Sequence, residues 1–174
     1  MNQDKYTTKS LEALSAAQAE AARLDHQNIE PLHLLLALVS QEGGVVPAVL
    51  EKLAPGSAKK LTGEIVRMLD RKPRVKGEGG KYFSRESAAL LAEAEKCAAA
   101  MQDDFVSCEH LLLSMFTGDT GEALSAAGIT KEAAEKALRE VGSPRVLNLI
   151  LLGAALKAGA LGLSREDLRE AIRV

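Results

Sequence analysis

Residues 28–38 read NIEPLHLLLAL, and residues 105–115 read FVSCEHLLLSM. The second stretch repeats the first at an offset of 77 residues (28 to 105), with the core HLLL unchanged. The same offset also pairs residues of an earlier segment, namely Thr7 with Ser84, Ser10 with Ser87, Leu14 with Leu91, Ala17 with Ala94 and Ala21 with Ala98. A register that holds across two separate segments indicates an internal repeat.

Each copy of the repeat predicts four helices. Leu and Ala dominate the apolar residues, aromatic residues make up 3% of the chain, and Trp is absent, which favours helices over sheets. We therefore expect an all-α fold, a pseudo-two-fold tandem repeat of two four-helix units with extra C-terminal helices. The predicted boundaries are a first repeat over 1–71, a flexible linker over 72–83, a second repeat over 84–145, and an atypical helical tail over 146–174.

Capping residues and helix breakers predict where individual helices begin and end. In each copy the Leu-rich stretch is apolar nearly all round, so we expect it at the buried centre. The predicted starts and ends are Thr7 or Thr8 to about Leu24, a start at Pro31 with a stop at Gly43-Gly44, Val45–Leu53, a start capped by Ser57, Ser84 to about Met101, Ser107 capping Cys108–Phe116, and Thr130 capping Lys131–Val141.

Composition argues against several classes of partner. The net charge is −2, whereas nucleic-acid binders usually carry a basic surplus. The polar start Met1–Ser10 does not read as a signal peptide, and the longest apolar stretch, Val146–Leu163, is interrupted by a lysine. We expect a soluble, cytoplasmic protein that binds neither nucleic acid nor membrane, with Cys97 and Cys108 as buried free thiols; a disulfide between them stays possible but unsupported.

No pattern of residues indicates catalysis. The sequence lacks the Gly-x-x-x-x-Gly-Lys-Ser/Thr phosphate loop, so we expect no ATP hydrolysis by this chain. His33 and His110 hold equivalent positions, but neither has Cys, Asp or Glu at metal-ligand spacing, so a metal site is disfavoured. Cys108 and His110 point apart on a helix and do not form a nucleophile pair. A small enzyme is therefore the least supported hypothesis.

Four stretches together resemble a known family: Tyr6–Leu14, Asn28–Leu35, Gln41–Gly44 and Asp103–Leu113. As a set they are similar to the double Clp-N motif, the N-terminal domain of Clp unfoldases, and most of all to that of the ClpB-type (Hsp100) disaggregases. The resemblance implies a substrate-engaging module of an AAA+ hexamer that binds unfolded or aggregated polypeptide. It also implies ATP binding only in ATPase modules absent from this chain, no cofactor in this domain, and Hsp70-type co-chaperones or adaptors as further partners.

Two alternatives stay open. An adaptor-docking domain of a ClpA/ClpC-type protease unfoldase would share the fold, and a stand-alone scaffold would explain the atypical tail. Both differ from the leading hypothesis in what the domain binds rather than in how it folds.

The resemblance also implies substrate-binding residues. Three polar positions match: Thr7, Asp103 and Glu109. Thr7 and Glu109 have a second explanation as a helix cap and a first-turn acid, which makes Asp103 the better functional candidate. The resemblance also implies an apolar groove between the repeats, and Leu91 matches one of the positions that line it. We expect Leu90, Ala94 and His110 to line the same groove, although Leu90, Leu91 and Ala94 can also be core residues. Glu93 and His110 depart from the pattern, because some members carry leucine at these positions.

Overall fold

A computed structural model describes residues 3–75 and 82–141. The described part contains a short 3₁₀ turn, Gln3–Lys5, two short strands, β1 (Asn28–Ile29) and β2 (Tyr82–Phe83), and eight α-helices. The helices are α1 (Thr8–Arg23), α2 (Pro31–Val39), α3 (Val45–Leu53), α4 (Ser57–Leu69), α5 (Arg85–Ala100), α6 (Cys108–Leu113), α7 (Gly118–Ala126) and α8 (Lys131–Val141). The prediction of an all-α fold with four helices in each repeat is confirmed. The predicted tail, 146–174, lies outside the described residues.

Each repeat is joined to the other by an exchanged strand. The segment that enters the second repeat, β2, pairs in parallel with β1 of the first repeat. In the equivalent place, Tyr6 at the entry to the first repeat forms a parallel bridge with Val106 of the second. The offset of 77 residues relates these two contacts, Tyr6 to Phe83 and Ile29 to Val106. The two repeats are therefore arranged with pseudo-two-fold symmetry.

Buried serine side chains support both strand contacts. Ser10 Oγ in α1 donates a hydrogen bond to the carbonyl of Val106, at 2.8 Å. Its repeat equivalent, Ser87 Oγ in α5, donates to the carbonyl of Ile29, at 2.6 Å. Because buried carbonyls need a partner, these bonds tie the first turn of each long helix to the opposite repeat.

The caps of the two long helices are also equivalent. Thr7 Oγ1 accepts a hydrogen bond from the Ser10 backbone N–H at 3.2 Å, and Ser84 Oγ accepts one from Ser87 at 3.1 Å. Side-chain oxygens at this position satisfy backbone donors that the helix itself leaves unpaired. The predicted caps at Thr7 and Ser84 are confirmed.

The Leu-rich helices α2 and α6 lie in one core that both repeats share. The fully buried side chains there include Leu32, Leu35 and Leu38 in the first repeat and Leu111 and Leu112 in the second. Helices α3 and α8, and α4 and α7, pack against each other across the repeats. The core therefore holds the repeats together as one unit.

Three predicted helix boundaries are wrong. Helix α2 ends at Val39, where Ser40 caps it, rather than at Gly43-Gly44. Helix α6 stops at Leu113 rather than Phe116, because Ser114 caps it and its Oγ donates to the carbonyl of His110 at 2.7 Å. Ser57 does not cap α4; it is the first helical residue, and its Oγ donates to the Leu50 carbonyl. The cap is Gly56, whose φ of 79° suits a residue without a side chain.

Parts of the predicted flexible linker, 72–83, are bound to the repeats. The Val75 N–H donates to the carbonyl of Asp25 at 2.8 Å, Lys72 pairs with Asp119 at 2.7 Å, and β2 lies in the same range. Within residues 3–75 and 82–141, no helix has the length and apolar character needed to cross a membrane.

Candidate functional surface

The loop between α5 and α6 turns sharply and exposes apolar side chains. Gln102 takes a left-handed conformation, with φ of 60°, and the Asp103 N–H returns to the carbonyl of Ala98 at 3.0 Å. Met101 and Phe105, on either side of this turn, are 51% and 53% exposed. Two exposed apolar side chains within five residues make this turn a candidate binding surface.

The buried His110 holds the loop in place through hydrogen bonds at both ring nitrogens. Its Nδ1 accepts a hydrogen bond from the Ser107 N–H at 2.9 Å, so its proton is assigned to Nε2, which donates to Asp103 Oδ2 at 3.1 Å. Burial lowers the pKa of His110, while the charge and the hydrogen bond of Asp103 raise it. Asp103 is thus anchored through one oxygen, yet its side chain stays 54% exposed.

Ser107, His110 and Asp103 form a line that superficially resembles a catalytic Ser–His–Asp triad. Ser107 Oγ lies 3.1 Å from His110 Nδ1. That nitrogen already accepts the Ser107 backbone N–H, so its lone pair is not available to remove the hydroxyl proton. The arrangement is a capping box that orients the loop.

Glu109 is a half-buried acid in the first turn of α6. Burial raises its pKa, the neighbouring charge of Asp103 raises it further, and a hydrogen bond from Ser107 Oγ at 3.3 Å acts in the opposite direction. The first repeat has the fully buried Leu32 at the equivalent position. A carboxylate held where the fold accepts leucine is under electrostatic strain, and a cationic or N–H-donating partner would relieve it.

Thr7 joins this region from the other repeat. Its backbone N–H donates to the Val106 carbonyl at 3.1 Å, which places the half-buried cap of α1 beside the α5–α6 loop. Thr7 therefore contacts Val106, which lies between Asp103 and Glu109 in the chain, and the two acids interact electrostatically. We define the α5–α6 surface by Thr7, Met101, Asp103, Phe105 and Glu109.

The predicted groove residues are not exposed. Leu90 and Leu91 are only 8% and 6% exposed, and Ala94 and His110 are buried as well. Their side chains face the core because α5 packs against α6 and α2. The structure thus shows core residues here rather than an open apolar groove, and a bound chain would need α5 to move before reaching them.

Sequence reasoning missed the three most exposed large apolar residues of the described chain, Met101, Phe105 and Tyr82. A signal for two of them was present in the repeat itself. The offset aligns Phe105 with the exposed Asn28 and Tyr82 with the exposed Lys5, so each aromatic stands where the other repeat has a polar surface residue. An aromatic residue at a position that is polar and exposed in the other repeat is therefore predicted to be exposed as well.

The described residues contain no group of three His, Cys, Asp or Glu side chains able to hold a metal ion. Cys97 is half-buried rather than buried, Cys108 is buried, and both are free thiols. Burial raises the pKa of each thiol, which disfavours the reactive thiolate.

Comparison with known proteins agrees with this architecture. The Clp repeat (R) N-terminal domain family matches residues 5–140. The chain belongs to this family. Among its relatives, the chaperone protein ClpB of Clostridium perfringens is 34% identical over 155 residues, a match that covers 84% of this chain and 18% of that protein. The chain therefore spans under a fifth of the length of this ClpB relative.

Solved Clp N-terminal domains share the fold. The Hsp104 N-terminal domain from Candida albicans matches with a TM-score of 0.66 at 17% identity, over 80% of this chain and 92% of that one. The N-terminal domain of the ClpV1 ATPase from E. coli matches with a TM-score of 0.64 at 20% identity, over 76% of this chain and 83% of that one. These likenesses show that the chain has the fold of Clp N-terminal domains.

Proposed function

We propose that this domain engages unfolded or aggregated polypeptide for a ClpB-type, ATP-dependent disaggregase, and that the α5–α6 surface makes the contact. One observation carries the proposal: two exposed apolar side chains, Met101 and Phe105, flank the half-exposed Asp103 on one anchored loop. Unfolded chains present both apolar side chains and unpaired backbone N–H groups, and this surface offers a partner for each.

The expected affinity is low. Burial of apolar area yields about 25 cal/mol per Å², and two exposed side chains provide little area. Asp103 and Glu109 add hydrogen-bond acceptors without demanding a particular sequence. A weak, unselective contact suits a module that must bind many clients and release each of them to an ATPase.

The sequence relationship to ClpB supports the disaggregase over other Clp ATPases. On this proposal ATP is bound and hydrolysed by AAA+ modules of the parent hexamer, and this domain needs no cofactor of its own. Hsp70-type co-chaperones would act on the same clients. In the alternative, the domain docks folded adaptors for a ClpA/ClpC-type unfoldase.

The first experiment compares Phe105→Ala with Tyr82→Ala. Tyr82 is a matched control, because it is the exposed aromatic of the other strand contact and is 73% exposed. Binding of fluorescently labelled, unfolded casein is followed by anisotropy. We expect micromolar or weaker affinity, reduced roughly five- to tenfold by Phe105→Ala, a loss of about 1–1.4 kcal/mol, and unchanged by Tyr82→Ala. Equal effects of both variants, or binding to a folded adaptor without binding to casein, would contradict the proposal.

The second experiment separates charge from structure at Asp103. Asp103→Ala removes the partner of buried His110, so part of its effect would be structural. Asp103→Asn keeps an oxygen acceptor for His110 Nε2 and removes only the charge. We expect the Asn variant to retain the Tm of the native chain and to bind basic, unfolded peptides less tightly. Unaltered peptide binding by both variants would exclude Asp103 from the site.

A further inference from the structure

The first repeat contains a buried histidine pair at the place where the second repeat has Asp103 and His110. His33, fully buried in α2, occupies the position of His110, and His26, buried in the loop after α1, occupies that of Asp103. His26 Nδ1 and His33 Nε2 are 2.8 Å apart. The two repeats thus use the same geometry with different chemistry.

The hydrogen bonds fix which nitrogens carry protons. His33 Nδ1 accepts the backbone N–H of Glu30 at 2.9 Å, so its proton is on Nε2. Nε2 therefore donates to His26 Nδ1, and both rings are neutral in this contact. A proton added to His33 Nδ1 would point at the Glu30 backbone N–H, and a proton added to His26 Nδ1 would point at the N–H of His33 Nε2. Either protonation would therefore break the hydrogen bond at that nitrogen.

The two repeats differ at one nitrogen of the buried histidine. In both, Nδ1 accepts a backbone N–H, from Glu30 at His33 and from Ser107 at His110, each at 2.9 Å, so an added proton there opposes a donor in either repeat. His110 Nε2 donates to the Asp103 carboxylate at 3.1 Å, whose negative charge stabilises an imidazolium. In the first repeat, the group that faces His33 Nε2 is another imidazole, which carries no such charge.

The histidine pair lies beside the strand contact between the repeats. The carbonyl of Asp25, next to His26, accepts the Val75 N–H at 2.8 Å, and the carbonyl of Ile29 accepts the Ser84 N–H at 3.1 Å. Asp25 takes a left-handed conformation, with φ of 58°. Because this loop both holds His26 and carries β1, a change at the histidines is transmitted directly to the β1–β2 contact.

We propose that His26 and His33 form an acid-sensitive latch that releases the β1–β2 contact at low pH while the Tyr6–Val106 contact remains closed. The proposal concerns the conformation of the fold and does not depend on which client the domain binds. It assigns the acid response to one of the two strand contacts.

The surroundings of His33 also disfavour its protonated form. Burial first, and the charge interaction with His26 second, lower the pKa of His33 to about 4. Lys72, which follows α4, acts in the same sense, whereas Glu20 of α1 and the Glu30 backbone oppose it. Since the folded pKa lies below the ordinary 6.5, the stabilisation is complete above pH 6.5 and is lost as the pH falls towards 4.

Amide hydrogen exchange measured by NMR tests the latch. The reporters are the Ser84 N–H, bonded to Ile29, and its repeat equivalent, the Thr7 N–H, bonded to Val106. Protection factors are compared at about pH 7 and about pH 5, each relative to an unfolded chain at the same pH. The pKa of His110 is lowered as well, so Thr7 should also lose some protection, but we expect Ser84 to lose several-fold more because no carboxylate faces His33 Nε2. An equal change at both reporters would overturn the proposal.

Two variants of the full chain make the test specific. His26→Asn keeps an oxygen acceptor for His33 Nε2 and removes the charge interaction between the two rings, so the difference between Ser84 and Thr7 should shrink, while the burial of His33 leaves a remainder. Asp103→His builds the histidine pair into the second repeat, and Thr7 should then lose protection in acid as well. A full difference in His26→Asn, or an unchanged Thr7 in Asp103→His, contradicts the latch. If one variant fails to fold at pH 7, the other still decides.

Discussion

The two repeats have the same scaffold and different loops. Caps, strand contacts and supporting serines recur in both at matching distances. The loops that lead into α2 and α6, and the first turns of these helices, have diverged, so that His26, Asn28 and Leu32 of the first repeat correspond to Asp103, Phe105 and Glu109 of the second. Residues of the caps and strand contacts kept their type in both copies. The residues of this loop and first turn changed in kind, and the second copy exposes more of them.

The divergence has an electrostatic cost in the second repeat. Leu32 is fully buried, whereas Glu109 is half-buried with a raised pKa. A charge that a leucine could replace does not serve the fold, and such positions often mark function. The first repeat is therefore the structural reference against which the second can be tested.

The largest expected effect tests the equivalence of the two cores. Leu35 and Leu112 are repeat equivalents and both are fully buried. Leu35→Ala and Leu112→Ala should each lower the free energy of unfolding by about 2–5 kcal/mol, because each leaves a cavity in the shared core. Urea denaturation followed by circular dichroism measures both. If only one of the two variants lost stability, the two leucines would not be equivalent parts of one shared core.

A smaller effect separates capping from binding. Thr7→Ala and Ser84→Ala should each cost about 1 kcal/mol of stability, because each removes a helix cap. Only Thr7 lies on the α5–α6 surface, so only Thr7→Ala should also weaken casein binding. Thermal melts and anisotropy titrations of the two variants give both quantities. Equal weakening of binding by both variants would assign Thr7 a structural role alone.

The smallest effect concerns Glu109. Glu109→Leu restores the residue type of the first repeat and removes a half-buried charge, so the chain should gain up to about 1 kcal/mol of stability. Casein binding should weaken at the same time. A destabilised variant would mean that Glu109 contributes to the fold, and a stabilised variant with native binding would remove it from the surface.

Most of the scaffold could be predicted from the sequence because its signals are local. Caps such as Thr7 and Ser84 act on neighbouring backbone groups. The Leu-rich stretches predict burial from composition alone. Because the repeat presents each signal twice, the helices were predicted correctly apart from the ends of α2 and α6 and the start of α4.

The strand contacts and the exposure of the site could not be predicted in the same way. Strands such as β1 have no periodic pattern, and they form only because the opposite repeat supplies a partner. The burial of Leu90 and Leu91 depends on how α5 packs, since both residues fit either a core or a groove. The contact between His26 and His33 joins a loop to a helix, and spacing alone does not indicate it.

The most direct test of a single client surface on a symmetric scaffold is an NMR titration of the native chain with unfolded casein. Residues 101–109 and their repeat equivalents, 24–32, serve as paired reporters in one spectrum. We predict that amide signals of 101–109 and Thr7 shift while those of 24–32 stay in place. Equal shifts in both segments, or shifts confined to 24–32, would contradict the account.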